Sequence, residues 1–214
     1  MSEKKLYDEE GFGVKMEGEQ PENGKKSVLL IGDSIRMGYC DFTKKALNDV
    51  ANVYYPEDNC RFAQNILVCL GWWADLVPDR EKVDVVHWNC GHWDIAKWHG
   101  DENPLNNIEE YCSMMERIHT AIARIFPNAK EIFATTTPMN PNGTKAINER
   151  TTEEIEGYNH AAVEVMNKMG VEVNDLFAVA KDWTSDYYSD YCHYTEEGFS
   201  LLGKHVADFI RKRL

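Results

Sequence analysis

The chain alternates: short, apolar, β-prone runs are each followed by a longer stretch with helical periodicity, from residue 27 to the C-terminus. Runs at 27–31, 51–55, 83–89, 130–136 and 171–173 read as strands. Helical patterns lie near 36–49, 61–77, 107–126, 152–169 and 196–212, with Gly170 closing the fourth as its C′ residue. In the third, Ile108, Tyr111, Cys112, Met115, Ile118, Ile122 and Ile125 make one apolar stripe. Strands separated by helices pair in parallel, with the helices covering the sheet. This order predicts an α/β fold: a three-layer α/β/α sandwich around a central parallel, flavodoxin-like sheet. Residues 27–214 form a single domain on this reading. Residues 1–26 are polar, contain Gly11, Gly13, Gly18, Pro21 and Gly24, and read as an N-terminal tail or strap.

In such sheets ligands sit beyond the carboxyl ends of the strands, so the residues that end strands matter most. The first strand runs through Val28-Leu29-Leu30-Ile31 into Gly32-Asp33-Ser34, and a helical pattern follows. A serine on that turn is exposed at the sheet edge, beside the free N–H groups of a new helix. One local structure then supplies a nucleophile and part of an oxyanion hole. Helix capping by Asp33 or Ser34 explains the same residues without any chemistry. Near the other end, the polar loop 189–198 holds Asp190 and His193, three apart and just before the last helix. They can offer an imidazole to a serine and a carboxylate to that imidazole, and the triad logic is indifferent to chain order. Thr195 is placed to cap the helix that follows.

Gly32-Asp33-Ser34 near the start, with Asp190-x-x-His193 near the end, resembles the first and last blocks of the SGNH, or GDSL-type, hydrolases. The likeness spans 27 to about 213. It implies Ser34 as nucleophile, His193 as general base and then acid, and Asp190 as the group that orients His193. The family also has a glycine after its second strand and Gly-x-Asn-Asp after its third, both giving hydrogen bonds to the oxyanion. Asn59 falls near the first of these, and asparagine is the residue that best replaces glycine at positive φ. At the second, Gly91 and Asp94 match but Trp93 stands in place of the asparagine. The implied oxyanion hole is Ser34, Asn59 and Gly91, with Asn89 or Trp93 as candidate side-chain donors. Asp33, Trp93 and Trp98 are the candidate substrate contacts, because aromatic rings in the long loop 91–106 can stack on a sugar.

Other chemistry finds less support. His87, His92 and His99 with Cys90 match no common zinc spacing. There is no G-x-G-x-x-G and no Walker motif. No metal or cofactor is expected. A net charge of −13 disfavours nucleic acid and anionic membranes as partners. The six cysteines show no framework spacing, and no apolar stretch of a spanning helix or signal peptide is present, so a cytoplasmic protein with free thiols is expected. The function expected is a serine esterase removing short, acetyl-type acyl groups from a carbohydrate ester. The alternatives are a lysophospholipase or thioesterase, and a catalytically idle relative that binds saccharide.

Overall fold

Burial along the first strand decides the layers. In the computed structural model, which describes residue 22, residues 24–143 and residues 148–214, β1 (Lys26–Ile31) sends Val28 and Leu30 to one face and Leu29 and Ile31 to the other, and all four are fully buried. A strand apolar on both faces belongs in the middle of a covered parallel sheet. It lies there: β2 (Ala51–Tyr54), β1, β3 (Val85–Trp88), β4 (Lys130–Ala134) and β5 (Glu172–Asn174) form one five-stranded parallel sheet in the order β2-β1-β3-β4-β5. This is the flavodoxin-like order, with its switch point between β1 and β3.

The helices divide between the faces. On one, α1 (Ser34–Leu47), α5 (Leu176–Ala180) and α6 (Glu196–Arg211) bring Tyr39, Leu47, Leu176, Leu202 and Val206 onto Val28, Leu30, Val53 and Val85. On the other, α2 (Ala63–Trp73), α3 (Ile108–Ile125) and α4 (Thr152–Lys168) bring Leu70, Met115, Ile118 and Met166 onto Leu29, Val86, Trp88 and Phe133. The architecture is the three-layer sandwich expected. Asn107 and Glu110 form a capping box at α3, Thr151 and Glu154 form another at α4, and Thr195 caps α6. Gly170 takes φ +74 after α4.

Three differences from the expected elements have a clear physical cause. The second helix stops at Trp73 and continues as one 3₁₀ turn, Ala74–Leu76, because Pro78 forces the chain before it into an extended form. The fourth strand stops at Ala134, not residue 136. There the Asn159 amide of α4 bonds both the N–H and the C=O of Thr136, each at 2.8 Å, and draws the chain out of the ladder. The short α5 was not expected; Asp175 starts it by accepting from Ala178 N–H at 3.1 Å. Residues 1–21 and 23, the bulk of the expected tail, lie outside the described residues.

The triad loop leads into α6, so the fit of α6 on α1 sets its height. The backbones approach at Gly203, whose C=O accepts from Thr43 Oγ1 at 3.1 Å. A Cβ at 203 would lie 2.6 Å from Phe42 Cβ and 2.9 Å from Tyr39 O. Gly203→Ala is expected to cost about 1–3 kcal/mol through overpacking. Gly157→Ala, on the open face of α4 with nothing within 4 Å, is expected to gain about 0.5–1 kcal/mol from helix propensity. Thermal melts of the two variants check this, and equal shifts would refute the close approach.

Candidate active site

The site is built where β1 stops. Asp33 caps α1: its Oδ1 accepts from Ile35 N–H at 3.0 Å, and this starts the helix at Ser34. The Ser34 N–H, at the first helical position, has no partner inside the helix. Ser34 Oγ lies 2.7 Å from His193 Nε2, and His193 Nδ1 lies 2.6 Å from Asp190 Oδ2. An ionised carboxylate only accepts, so Nδ1 carries the imidazole proton and Nε2 accepts from the serine hydroxyl. Asp190 Oδ1 accepts from the backbone N–H groups of Cys192 and His193, each at 2.8 Å. Partial burial opposes ionisation of Asp190, but these backbone bonds and the His193 side chain outweigh it and hold the carboxyl below its ordinary range. The structure therefore brings Ser34, His193 and Asp190, distant in sequence, into one hydrogen-bonded chain at the sheet's carboxyl edge.

One of the expected contacts is corrected. Asp33 is fully buried and so cannot touch substrate; besides the cap, its Oδ1 accepts from Asn89 Nδ2 at 3.0 Å. Burial pushes its carboxyl above the ordinary range, against the bonds from Asn89 and Ile35. The same bond commits one of the two Asn89 amide N–H groups to Asp33, and the side chain is buried.

The loop after β2 differs in detail. Asn59 does not take positive φ; among the described non-glycine residues Arg61 (φ 58) and His99 (φ 55) do. Asn59 shapes the turn through its side chain, Oδ1 accepting from Arg61 N–H at 2.8 Å. The Cys60 N–H is held by Gly32 O at 3.1 Å. Beneath this loop lies Arg36, buried, whose guanidinium donates to the carbonyls of Pro56, Asp58 and Gly32. The Asp58 carbonyl thus faces inward, and in a trans peptide the N–H of Asn59 faces the opposite way, out of the core.

Gly91 follows β3 with φ +145, and a Cβ there would lie 2.0 Å from Thr136 Oγ1, so only glycine fits. Trp93 and Trp98 are half-buried and their rings stack at 5.0 Å, with the Trp98 indole N–H donating to Trp93 O. Asp94, fully buried, accepts from Ala63 N–H at 2.9 Å and from Asn106 Nδ2 at 2.6 Å, so it ties this loop to the start of α2. The histidines weighed as metal ligands go separate ways. His87 is buried in β3, bonded to Asn174 Nδ2 and pushed by burial down to about 3; His92 binds Arg150; His99 is exposed. The six cysteines are free thiols. Three residues that hold the site carried no readable signal in the sequence: Arg36, Arg150 and Asn140, whose Nδ2 donates to Asp190 O at 2.9 Å.

The family model for the GDSL-like lipase/acylhydrolase family matches residues 30–201. The chain belongs to that family, and with it to the carboxylic ester hydrolases. A GDSL esterase/lipase of Arabidopsis thaliana is 21% identical over 190 residues, covering 84% of this chain and 67% of its own. A lipase/acylhydrolase from Enterococcus faecalis superposes with a TM-score of 0.68 at 22% identity, over 88% of this chain and 97% of its own. A carbohydrate acetylesterase from Sinorhizobium meliloti superposes with a TM-score of 0.67 at 17% identity, over 89% of this chain and all of its own. Among the described residues no helix is long and apolar enough to cross a membrane.

Burial pushes Asp94 up to about 6, the bonds from Ala63 and Asn106 opposing. Its folded form therefore holds a proton more tightly than the unfolded chain, whose aspartate titrates near ~3.9. The stability it contributes is present below about pH 4 and lost as pH rises through about 6, on the order of 2–3 kcal/mol. Asp94→Asn keeps the accepting Oδ1 and removes the titration. The variant's melting temperature is expected to gain on the wild type as pH rises from 4 to 7. A difference independent of pH would contradict a buried, titrating Asp94.

Proposed function

We propose that the protein is a serine esterase that releases short acyl groups, acetyl above all, from carbohydrate esters. The observation that carries the mechanism is the unbroken chain from Ser34 Oγ through His193 to Asp190. Ser34 Oγ attacks the ester carbonyl while its proton passes to His193 Nε2. The tetrahedral oxyanion forms beside the Ser34 N–H, with the backbone N–H groups of Asn59 and Gly91 as further donors. Collapse breaks the C–O bond, and the imidazolium gives its proton to the leaving alkoxide. Water then attacks the acyl-serine with His193 again as base, and the released carboxylic acid leaves Ser34 free. Asp190 stabilises the imidazolium and fixes its tautomer.

The substrate class draws on different support. The stacked Trp93–Trp98 pair stands in the loop that follows Gly91, where flat rings suit the apolar face of a sugar. A structural neighbour at similar length is a carbohydrate acetylesterase. With Asn89 bound to Asp33, Trp93 serves as a wall of the pocket and the oxyanion hole runs on backbone donors.

Ser34→Ala should fold and lose nearly all turnover of an aryl acetate, since triad members act as a unit. Near wild-type turnover in that variant would remove the serine mechanism. Along a series of aryl esters, kcat/KM should fall from acetyl to octanoyl. A steady climb, at up to ~0.8 kcal/mol per methylene, would indicate a long acyl pocket and hence a lysophospholipase or thioesterase. Trp93→Phe keeps the ring and drops the N–H; kcat should stay within a few-fold, whereas a donor role would cost ~10²-fold.

A further inference from the structure

Arg150 is a buried cation that the reaction as described does not use. It is 8% exposed, and among the described residues its acceptors are all neutral. Nε donates to His92 Nδ1 at 3.0 Å, Nη2 to Cys192 Sγ at 3.4 Å, and Nη1 to Asn148 O at 3.0 Å. The guanidinium lies 5.6 Å from the centroid of the Tyr191 ring. The buried Asp33 carboxyl attracts it electrostatically, but burying a guanidinium that hydrogen-bonds no carboxylate is costly, so its place needs a reason.

The partners supply one. His92 sits between Gly91 and Trp93, in the loop that flanks the serine. Cys192 and Tyr191 lie between Asp190 and His193, and Cys192 Sγ is 3.8 Å from His193 Nδ1. One planar fork thus joins the two loops whose separation sets the distance between His193 and the serine. His92 is suited to its part. Burial, with the Arg150 charge beside it, keeps this imidazole neutral, so Nδ1 accepts from the arginine and Nε2–H donates to Thr137 Oγ1 at 3.2 Å. The triad loop needs such a brace, because the Asp190 side chain is 42% exposed. Its other ties outside itself include Asn140, which donates to Asp190 O and Tyr191 O.

We propose that Arg150 is a positioning residue for ester hydrolysis: it clamps the 91–94 loop to the 190–193 loop and so holds His193 Nε2 on Ser34 Oγ. This rests on the serine mechanism above. A misplacement of order 1 Å at the reacting groups costs about 10²-fold in rate. A lysine cannot replace the clamp, since an ammonium is a point donor without the fork.

The test measures aryl acetate hydrolysis by Arg150→Ala, Arg150→Lys and His92→Ala, with melting curves to confirm folding and Ser34→Ala as the blank. Arg150→Ala should lose ~10²-fold in kcat with KM within threefold, and Arg150→Lys should fall alike. Millimolar methylguanidine should restore tenfold or more to Arg150→Ala and nothing to Arg150→Lys. His92→Ala, which cuts one arm of the clamp, should lose about tenfold in kcat. A folded Arg150→Ala with wild-type kcat, or one that changes KM alone, overturns the proposal. If Arg150→Ala does not fold, Arg150→Lys and His92→Ala decide: wild-type kcat in either overturns it. A wild type no faster than Ser34→Ala would sink the serine mechanism itself and the clamp with it. An active wild type beside an unaffected Arg150→Ala would sink the clamp alone.

Discussion

The bond from Ile35 N–H to Asp33 Oδ1 is the contact on which the site depends. It turns a strand buried on both faces into a helix within two residues, Gly32 and Asp33. That abrupt change leaves Ser34 at the first helical position, with its N–H free of the helix ladder. Asp33 makes the bond where water is excluded, and burial raises the energy of its charged form. The Asn89 amide at 3.0 Å offsets part of that cost and ties the end of β3 to the end of β1. An aspartate that reads as a substrate contact is thus the internal brace of Ser34.

The remaining loops are fastened by a similar device, a buried polar side chain reaching backbone on a neighbouring segment. Arg36 draws the carbonyls of Pro56 and Asp58 under the first turn of α1. Asp94 holds the N-terminus of α2 against the loop after β3. Asn159 ends β4 by bonding both sides of Thr136. Each bond would be worth about 1 kcal/mol or less in water and is worth more in a dry interior. Together they fix loops that a parallel sheet alone leaves free, which suits a site needing its groups within fractions of an ångström.

The arrangement leaves some buried polar atoms without partners among the described residues: Asp33 Oδ2, Asn89 Oδ1, Asp94 Oδ2 and Arg36 Nε. These four belong to side chains that hold the loops around Ser34 at the carboxyl edge of β1 and β3. Tyr39 Oη, His87 Nδ1 and Tyr194 Oη, further into the core, are also without partners among the described residues.

By itself the sequence determined the layers and the parallel sheet, and it singled out Ser34, Asp190 and His193, which the structure joins by hydrogen bonds. Strand and helix periods, the Thr195 cap and the glycine after α4 are local signals, written in residues a few positions apart. Trp93, where the resemblance implies an asparagine, shows in the structure as a ring tilted against Trp98. Only the tertiary structure decided what Asp33, Asn59 and Asn89 do. Asp33 and Asn89 lie 56 positions apart, and their pairing depends on β3 lying beside β1. Asn59 was legible as a loop residue, but its backbone direction follows from Arg36 pulling the preceding carbonyl inward. Arg150 left no signal at all, because its meaning lies in His92 and Cys192, 58 and 42 positions away. A hydrogen bond between distant segments depends on distance in space, and that is set only when the sheet order brings the loops to one edge.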